Sequence, residues 1–498
     1  IGNIGRNPSQ NAFLGMIDEV RISKTARSAG QLMFADPSVF VIEGPTPTNQ
    51  VVGIGQAANW SINVGGLNPT YQWRHAGTNL AGATGSAYGI TAAAFADAGE
   101  FDVVVTNSTS ALTSSVANLT VRLGTNLVWT PASSDWDTVT MNWDSSGDNA
   151  ADSLFASGDS VRFDNNGLGA AVVNLAEVVA PASVVVDADG DYTFTTFGAG
   201  YIGSNAKLTK AGLGKLTVDV DSLNTGATVI GNGYVEVGFG ASRGLLGTGP
   251  VTNHTGLVFN RLGGYSITTL AGAGGLTNNA AGVLTLAGTN DFHGPVVINS
   301  GGVAITGQAA LSGVTNFLLT ASANGTGGSR VTLAGGVVVP ANVTASLLGS
   351  SVAPDNRCNL TTTAGTNVWN GPLVYDGSGA NSLITDGGEF DVNGPITGPN
   401  FSGKVILRGG GVGYLNSVVN LPGGHVSKTD GSVWVITSTG NIWTNTDVAS
   451  GTLRLGANNV LPSGITVNMT GGSLDLDGFN QTDAVLNCSC GPIGNRST

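Results

Sequence analysis

Two pairs of carboxylates, Asp219 with Asp221 and Asp475 with Asp477, stand two residues apart in strand-like surroundings. On a strand that spacing puts both side chains on one face. Paired carboxylates are the equipment of glycoside cleavage, where one group donates a proton and the other attacks or activates water. Such a site would add an Arg or His, and none accompanies either pair in the sequence. Both pairs end a strand just before a turn, where Asp bonds to nearby backbone. A structural role is therefore expected for all four.

The run Asp187-Ala188-Asp189-Gly190-Asp191 has the look of a calcium loop. It departs from the EF-hand pattern, because Gly190 comes too early and no Glu closes the loop at its twelfth position. A hairpin turn is the favoured reading, and weak calcium binding by Asp187, Asp189 and Asp191 stays open. His75, His254, His293 and His425 each stand alone, without a second ligand at metal spacing or a nucleophile motif nearby. Cys358, Cys488 and Cys490 are too few for a disulfide framework, and Cys488 with Cys490 supply only two of a zinc site's four ligands. Gly409-Gly410-Gly411-Val412-Gly413 leads into no helix and is not a phosphate cradle. The chain is read as non-enzymatic, with no catalytic residue, no metal ligand and no cofactor.

What positions these residues is a Gly-rich, charge-poor chain. Of 498 residues 77 are Gly, only 10% are charged, and 41% are apolar. That composition can bury a core but does not suit helical bundles, and the glycines lack a collagen period. The net charge of −13, with scattered Lys and Arg, argues against nucleic acid and anionic membranes as partners. No window is apolar enough to span a bilayer as a helix, so no transmembrane segment is expected in this piece of chain. The start, Ile1-Gly2-Asn3-Ile4, carries neither an initiator Met nor a signal peptide. The chain reads as a piece of a longer, exported protein.

Residues 38–122 show short strands at even spacing, the pattern of a β-sandwich. Tyr71-Gln72-Trp73 places an aromatic in mid-strand, and Asp97-Ala98-Gly99-Glu100-Phe101-Asp102-Val103 follows two dozen residues later. This resembles an immunoglobulin-like domain. The resemblance implies that Trp73 is the buried tryptophan of the third strand and that Asp97 and Gly99 turn the chain into the sixth. Val103 stands where many members have their second cysteine, with Ile62 opposite, so aliphatic packing replaces the disulfide. Phe101 replaces the tyrosine of the tyrosine corner and lacks its hydroxyl. Further upstream, Phe13-Leu14-Gly15-Met16-Ile17-Asp18-Glu19-Val20-Arg21-Ile22 resembles the last strand of bacterial laminin-G/concanavalin-like jelly rolls. Residues 1–37 would then be the tail of such a domain, truncated before any glycan-binding loop.

From residue 123 to 498 the chain becomes Gly-punctuated runs of four to seven β-formers. It opens on Trp129, Trp136 and Trp143, read as aromatics capping a β core, with a carbohydrate-stacking platform as the alternative. Leu208-Thr209-Lys210-Ala211-Gly212-Leu213-Gly214-Lys215-Leu216-Thr217-Val218 returns as Leu276-Thr277-Asn278-Asn279-Ala280-Ala281-Gly282-Val283-Leu284-Thr285-Leu286, and again, degenerate, as Val426 to Ile436. Gly226 and Gly294 follow in Asn-containing turns. The phrase resembles the autotransporter-associated β-strand repeat. That resemblance implies a right-handed parallel β-helix in a secreted or surface-displayed bacterial protein. Gly212, Gly214, Gly226, Gly282 and Gly294 would sit at equivalent corners, chosen for access to positive φ. The expected fold is thus all-β, a right-handed parallel β-helix preceded by an immunoglobulin-like sandwich and a truncated jelly-roll end. The expected role is a stalk at the cell or outer-membrane surface, or secreted, with an extracellular glycan or matrix component as its partner. A carbohydrate-active enzyme, or an autotransporter passenger without its barrel, are the alternatives.

Overall fold

The computed structural model describes residues 38–311, 313–320, 328–349, 357–482, 484–489 and 492–494. The jelly-roll tail expected over residues 1–37, and Cys490, lie outside the described residues. By internal packing the chain forms two units, one made of Ala57–Val121 with the described residues up to Gln50, the other of Val51–Gln56 with Arg122–Thr498. Strands dominate both, and the helices among the described residues are the short 3-10 turns Phe95–Asp97, Asn165–Ala170 and Gln308–Leu311.

The first unit is an antiparallel sandwich. One sheet joins Phe40–Thr46, Ala58–Gly65 and Ala87–Ile90; the other is built around Thr70–His75, Gly99–Thr106 and Ala117–Arg122. Strict alternation makes its core. Ala58, Trp60 and Ile62 are buried from one sheet, and Trp73, Phe101, Val103 and Val105 from the other. Trp73 and Val103 are register partners within one sheet and both fully buried, and Ile62 is buried from the other sheet. Phe101 stacks on Trp60 with ring centroids 4.4 Å apart, an aromatic contact in place of a hydroxyl bond. Asp97 accepts the Ala94 N–H at 2.8 Å, and Gly99 turns the chain at φ +140°.

The second unit is a three-faced parallel β-helix. Face I is a nine-stranded sheet that begins at Asn126–Trp129 and Trp143–Asp144 and ends at Asp291–Phe292. It resumes as an eight-stranded sheet from Val338–Val339 to Ile493–Gly494. The turn Gln308–Leu311 packs against both Asp291–Phe292 and Val338–Val339, holding the place of a strand between them. Face II is a thirteen-stranded sheet from Asp135–Trp136 to Val419–Asn420, and face III an eleven-stranded one from Tyr265–Ile267 to Val485–Cys488. Successive coils pair parallel at offsets such as 24 residues (Val184 with Leu208) and 20 residues (Leu208 with Thr228). The inward side chains stack coil on coil, and Leu216, Val235, Leu257, Leu276 and Val296 form one continuous inner ladder. Burying one such side chain contributes about 1.5–3 kcal/mol. Trp129, Trp136 and Trp143 are fully buried and pack edge to face, with centroids 5.0 and 5.5 Å apart. They are core, not a stacking platform.

The three copies of the repeated phrase do not stack on one another. Lys207–Lys210 and Lys215–Asp219 lie on faces I and II, Gly275–Asn278 and Val283–Leu286 on faces II and III, and His425–Lys428 and Val433–Ile436 on faces III and I. Each copy therefore rounds a different corner, and the phrase encodes a corner rather than a coil. The glycine argument changes with it. None of Gly212, Gly214, Gly226, Gly282 and Gly294 adopts positive φ. A Cβ on Gly212 would lie 2.2 Å from Ala188 O, on Gly214 2.1 Å from Gly190 O, on Gly226 2.2 Å from Ala206 O, on Gly282 2.5 Å from Arg261 O and on Gly294 1.9 Å from Gly274 O. Corner backbone lies directly on the corner below it, and that contact leaves no space for a side chain.

Two further devices hold the corners. Asn393 donates to Asn370 and Asn416 donates to Asn393, both at 2.9 Å, and Thr437 caps the ladder on Asn416 at 2.8 Å. Such amide ladders let each side chain bond its equivalent one coil away. Inside the corners, buried donors serve the carbonyls of the turn. Lys210 bonds Gly212 O, Asn278 bonds Gly282 O and Gly302 O at 2.9 and 3.0 Å, and Lys428 bonds Thr429 O, Asp430 O and Ser450 O at 2.6, 2.9 and 3.2 Å. These three occupy the same place in the three copies of the phrase.

Candidate functional site

The carboxylate pairs do not share a face. Lys215–Asp219 ends on face II, and the chain rounds the corner before Asp221–Ser222. Asp219 is buried and Asp221 exposed. Neither pair lacks an arginine, as the sequence suggested. Arg243 Nη2 donates to Asp219 Oδ2 at 2.6 Å, and Arg454 Nε donates to Asp475 Oδ2 at 3.0 Å. Each arginine comes from a neighbouring coil, 24 and 21 residues away, a relation visible only once the coil length is known. Asp219 also accepts from Thr195 Oγ1 at 3.2 Å, Asp221 accepts the Gly244 N–H at 2.8 Å, and Asp475 accepts the Asp477 N–H at 3.1 Å. Asp477 itself sits in the left-handed turn at φ +44°. These bonds tie corners together.

The acidic run is not a hairpin. Ser183–Asp187 on face I leads round a corner to Tyr192–Thr195 on face II, both with parallel neighbours. Asp187 pairs with Arg162 at 2.6 Å, Asp189 accepts the Leu213 N–H at 3.3 Å and Asp191 accepts the Lys215 N–H at 2.8 Å. The ammonium of Lys210 is the buried cation near all three. Burial lowers its pKa, and the three carboxylates oppose that shift. Among the described residues no three His, Cys, Asp or Glu side chains converge as metal ligands.

Of the histidines, His75 stacks on Phe101 at 4.6 Å and His293 lies 3.6 Å from Asp291, while His254 is exposed. His425 has company that its sequence neighbours did not reveal. On face III it is the register partner of Lys404, and Lys404 Nζ lies 3.4 Å from Asp447 Oδ2. Burial and the Lys404 charge lower the His425 pKa, against an upward pull from Asp447. Cys358 is buried against Ser329 Oγ and Leu319 O, and burial raises its thiol to about 11, which leaves it protonated and unreactive at neutral pH. Cys488 is exposed.

A trough of about 650 Å³ lies on the outer surface of face II. It crosses four strands, Lys215–Asp219, Tyr234–Ala241, Gly256–Arg261 and Gly275–Asn278. Their register aligns two outward rows. One row runs Lys215, Tyr234, Gly256, Gly275; the other runs Thr217, Glu236, Val258, Thr277. Tyr234 is 40% exposed and stands at the upstream end of a floor without side chains. Glu236 is held at the trough wall by Lys215 Nζ at 3.0 Å and Asn260 Nδ2 at 2.9 Å. The bond to Glu236 raises the Lys215 pKa, keeping it charged. Sequence reading missed this place because its parts come from four coils, and only the missing side chains of Gly256 and Gly275 make the hollow.

No protein family matches the chain, and no curated protein does. Among the solved structures that match are immunoglobulin domains. The tandem Ig repeats of Dlar are 19% identical over 18% of this chain and 47% of that one, with a TM-score of 0.16. The N-terminal four Ig domains of Dscam1 isoform 4.44 are 22% identical over 16% of this chain and 20% of that one, with a TM-score of 0.15. Immunoglobulin domains 1–5 of Sidekick-1 are 16% identical over 18% and 21%, with a TM-score of 0.16. The chain spans less than half the length of these structures. Among the described residues no helix is long and apolar enough to cross a membrane.

Proposed function

We propose that the chain is the stalk region of an extracellular bacterial surface or secreted protein that adheres to glycan or matrix and performs no catalysis. The observation that carries this reading is the pairing, in one chain, of an immunoglobulin-like sandwich with a long stack of parallel coils. Such a stack is self-supporting and presents the same backbone lattice coil after coil, which suits it to holding surfaces in fixed array. The corner phrase supports a likeness to autotransporter-associated repeats, and with it export. A glycan and matrix-protein array probed with this chain is the test. Binding above that of the heat-denatured chain supports adhesion, and its absence across the array overturns it.

The grouping of Lys404, His425 and Asp447 favours a second reading, a polysaccharide-cleaving enzyme on a β-helix face. A carboxylate, an ammonium and an imidazole across adjacent coils are the groups such a reaction needs. Release of new chain ends from neutral or acidic polysaccharides, abolished by His425→Ala or by Asp447→Asn, would put this reading first.

A further inference from the structure

Three places outside the fold's own bonding invite a ligand. The exposed side chains at the corner after face II, Phe197, Phe239 and Leu262, are 80%, 69% and 57% exposed, but nothing shows what covers them. The face III group of Lys404, His425 and Asp447 gathers charge across coils, but it already carries the second reading above. The face II trough has a hollow, an aromatic and polar walls together.

We propose that this trough is a binding subsite for a neutral pyranose oligosaccharide lying along the β-helix axis, a claim that rests on the adhesion reading above and gives it a location. Its volume of about 650 Å³ falls within the range of small-ligand sites, about 300–1,000 Å³. The floor at Gly256 and Gly275 is bare backbone, so a flat ring settles against it without displacing side chains. Tyr234 lines the trough beside that floor; a Cβ on Gly256 would be 3.1 Å from the Tyr234 Cβ. Aromatic faces take up the apolar C–H side of a sugar, while its hydroxyl edges need donors and acceptors. Lys215, Glu236 and Thr277 supply these along the walls. The four strands, about 4.8 Å apart, run the trough for about 14 Å along the axis, which suits an extended chain of sugars better than a compact metabolite.

Charge selects among sugars. Glu236 is already paired with Lys215, so the trough keeps no surplus cation to hold a carboxylate. The whole chain carries −13 and repels polyanions. Uronate polymers are therefore disfavoured, and neutral glycans fit.

The test is isothermal titration of the full chain with cellohexaose and chitohexaose, with a galacturonate hexamer as the acidic control. Tyr234→Ala removes the ring, and Gly275→Leu fills the floor. Position 275 accepts a side chain: its φ is not left-handed, and the nearest atom to a Cβ there is Pro295 Cγ at 3.9 Å. A neutral hexamer is expected to bind, and each variant is expected to weaken it by about tenfold or more with an unchanged melting temperature. The proposal is overturned if neither neutral hexamer binds, if the acidic hexamer binds as well as the neutral ones, or if both variants bind like the parent. Should the array retain glycan binding while the variants behave like the parent, adhesion stands and the trough falls. Should the array be blank as well, both fail together.

Discussion

The sandwich and the β-helix draw on the same residues, Val, Thr, Leu and Gly, and two sets of their glycines serve opposite ends. In the sandwich, Gly77 and Gly82 turn the chain at φ +78° and +75° with nothing within 4 Å of a Cβ. They are there for backbone conformation alone. At the β-helix corners, Gly212, Gly214, Gly226 and Gly294 have ordinary φ, yet an added methyl would strike the carbonyl of the coil below. They are there for lack of volume. At turns such as those of Gly77 and Gly82 the sandwich chain faces solvent, and only torsion matters. A solenoid stacks its turns as tightly as its strands, so packing extends into the loops. The teaching is that a glycine-rich β-sequence does not announce which kind of glycine it carries; the neighbouring chain decides.

The comparison can be broken or sharpened by substitution. The largest effects should come where both units agree, in their aromatic cores. Trp73→Ala in the sandwich and Trp136→Ala in the β-helix should each cost about 3–5 kcal/mol, measured by guanidinium unfolding. Equal losses would show that the two cores are of one kind, and a loss below 1 kcal/mol at Trp136 would show that the cap is dispensable.

Glycine separates the units next. Gly294→Ala sets a methyl against backbone that cannot rotate away and should cost about 2–3 kcal/mol, while Gly77→Ala adds only left-handed strain, about 1 kcal/mol. Chemical denaturation of the two variants decides it, and the contrast collapses if Gly77→Ala is the costlier change.

The buried corner lysine of the β-helix adds a pH term of its own. Burial lowers Lys428 from its ordinary 10.5 to about 8. The unfolded chain then holds that proton up to about pH 10.5 while the folded chain releases it near 8. Between those values the unfolded state binds more protons, so this residue's contribution to stability rises with pH across the window and is least favourable below 8. Relative to Lys428→Met, the parent should gain on the order of 1–3 kcal/mol between pH 7 and pH 10. Melting curves of both proteins at the two pH values test this, and a constant gap between them would refute it. The smallest effect is expected in the amide ladder, where Asn393→Ala removes its bonds to Asn370 and Asn416 and should cost about 1 kcal/mol. Hydrogen exchange at the flanking corner amides would register that loss locally.

Much of the fold was readable in residues 208–218, 276–286 and 426–436. Strand, glycine-bearing corner and strand recur there, and the alternation of Leu, Val and Thr marks one buried face. Trp73, Phe101 and Val103 likewise announced the sandwich core from local alternation. The candidate site was far less legible. The sequence left His425 isolated, yet it stands beside Lys404; Asp219 and Asp475 seemed to lack arginines, yet each has one; and nothing marked Gly256 and Gly275 as the floor of a trough.

What the sequence determined by itself was everything local: that the chain would be β throughout, which side chains turn inward, and where it must round a corner. Torsional preference and two-residue alternation act between neighbours and survive in any context. What only the tertiary structure decided was which corner each phrase rounds and which residues meet across coils. The three copies fall at three different corners because their separations are not whole numbers of coils. Coil length varies with every loop, and a change of one or two residues re-registers all that stacks above it. Asp219 with Arg243, Lys404 with His425, and Tyr234 beside Gly256 are products of that accumulated register.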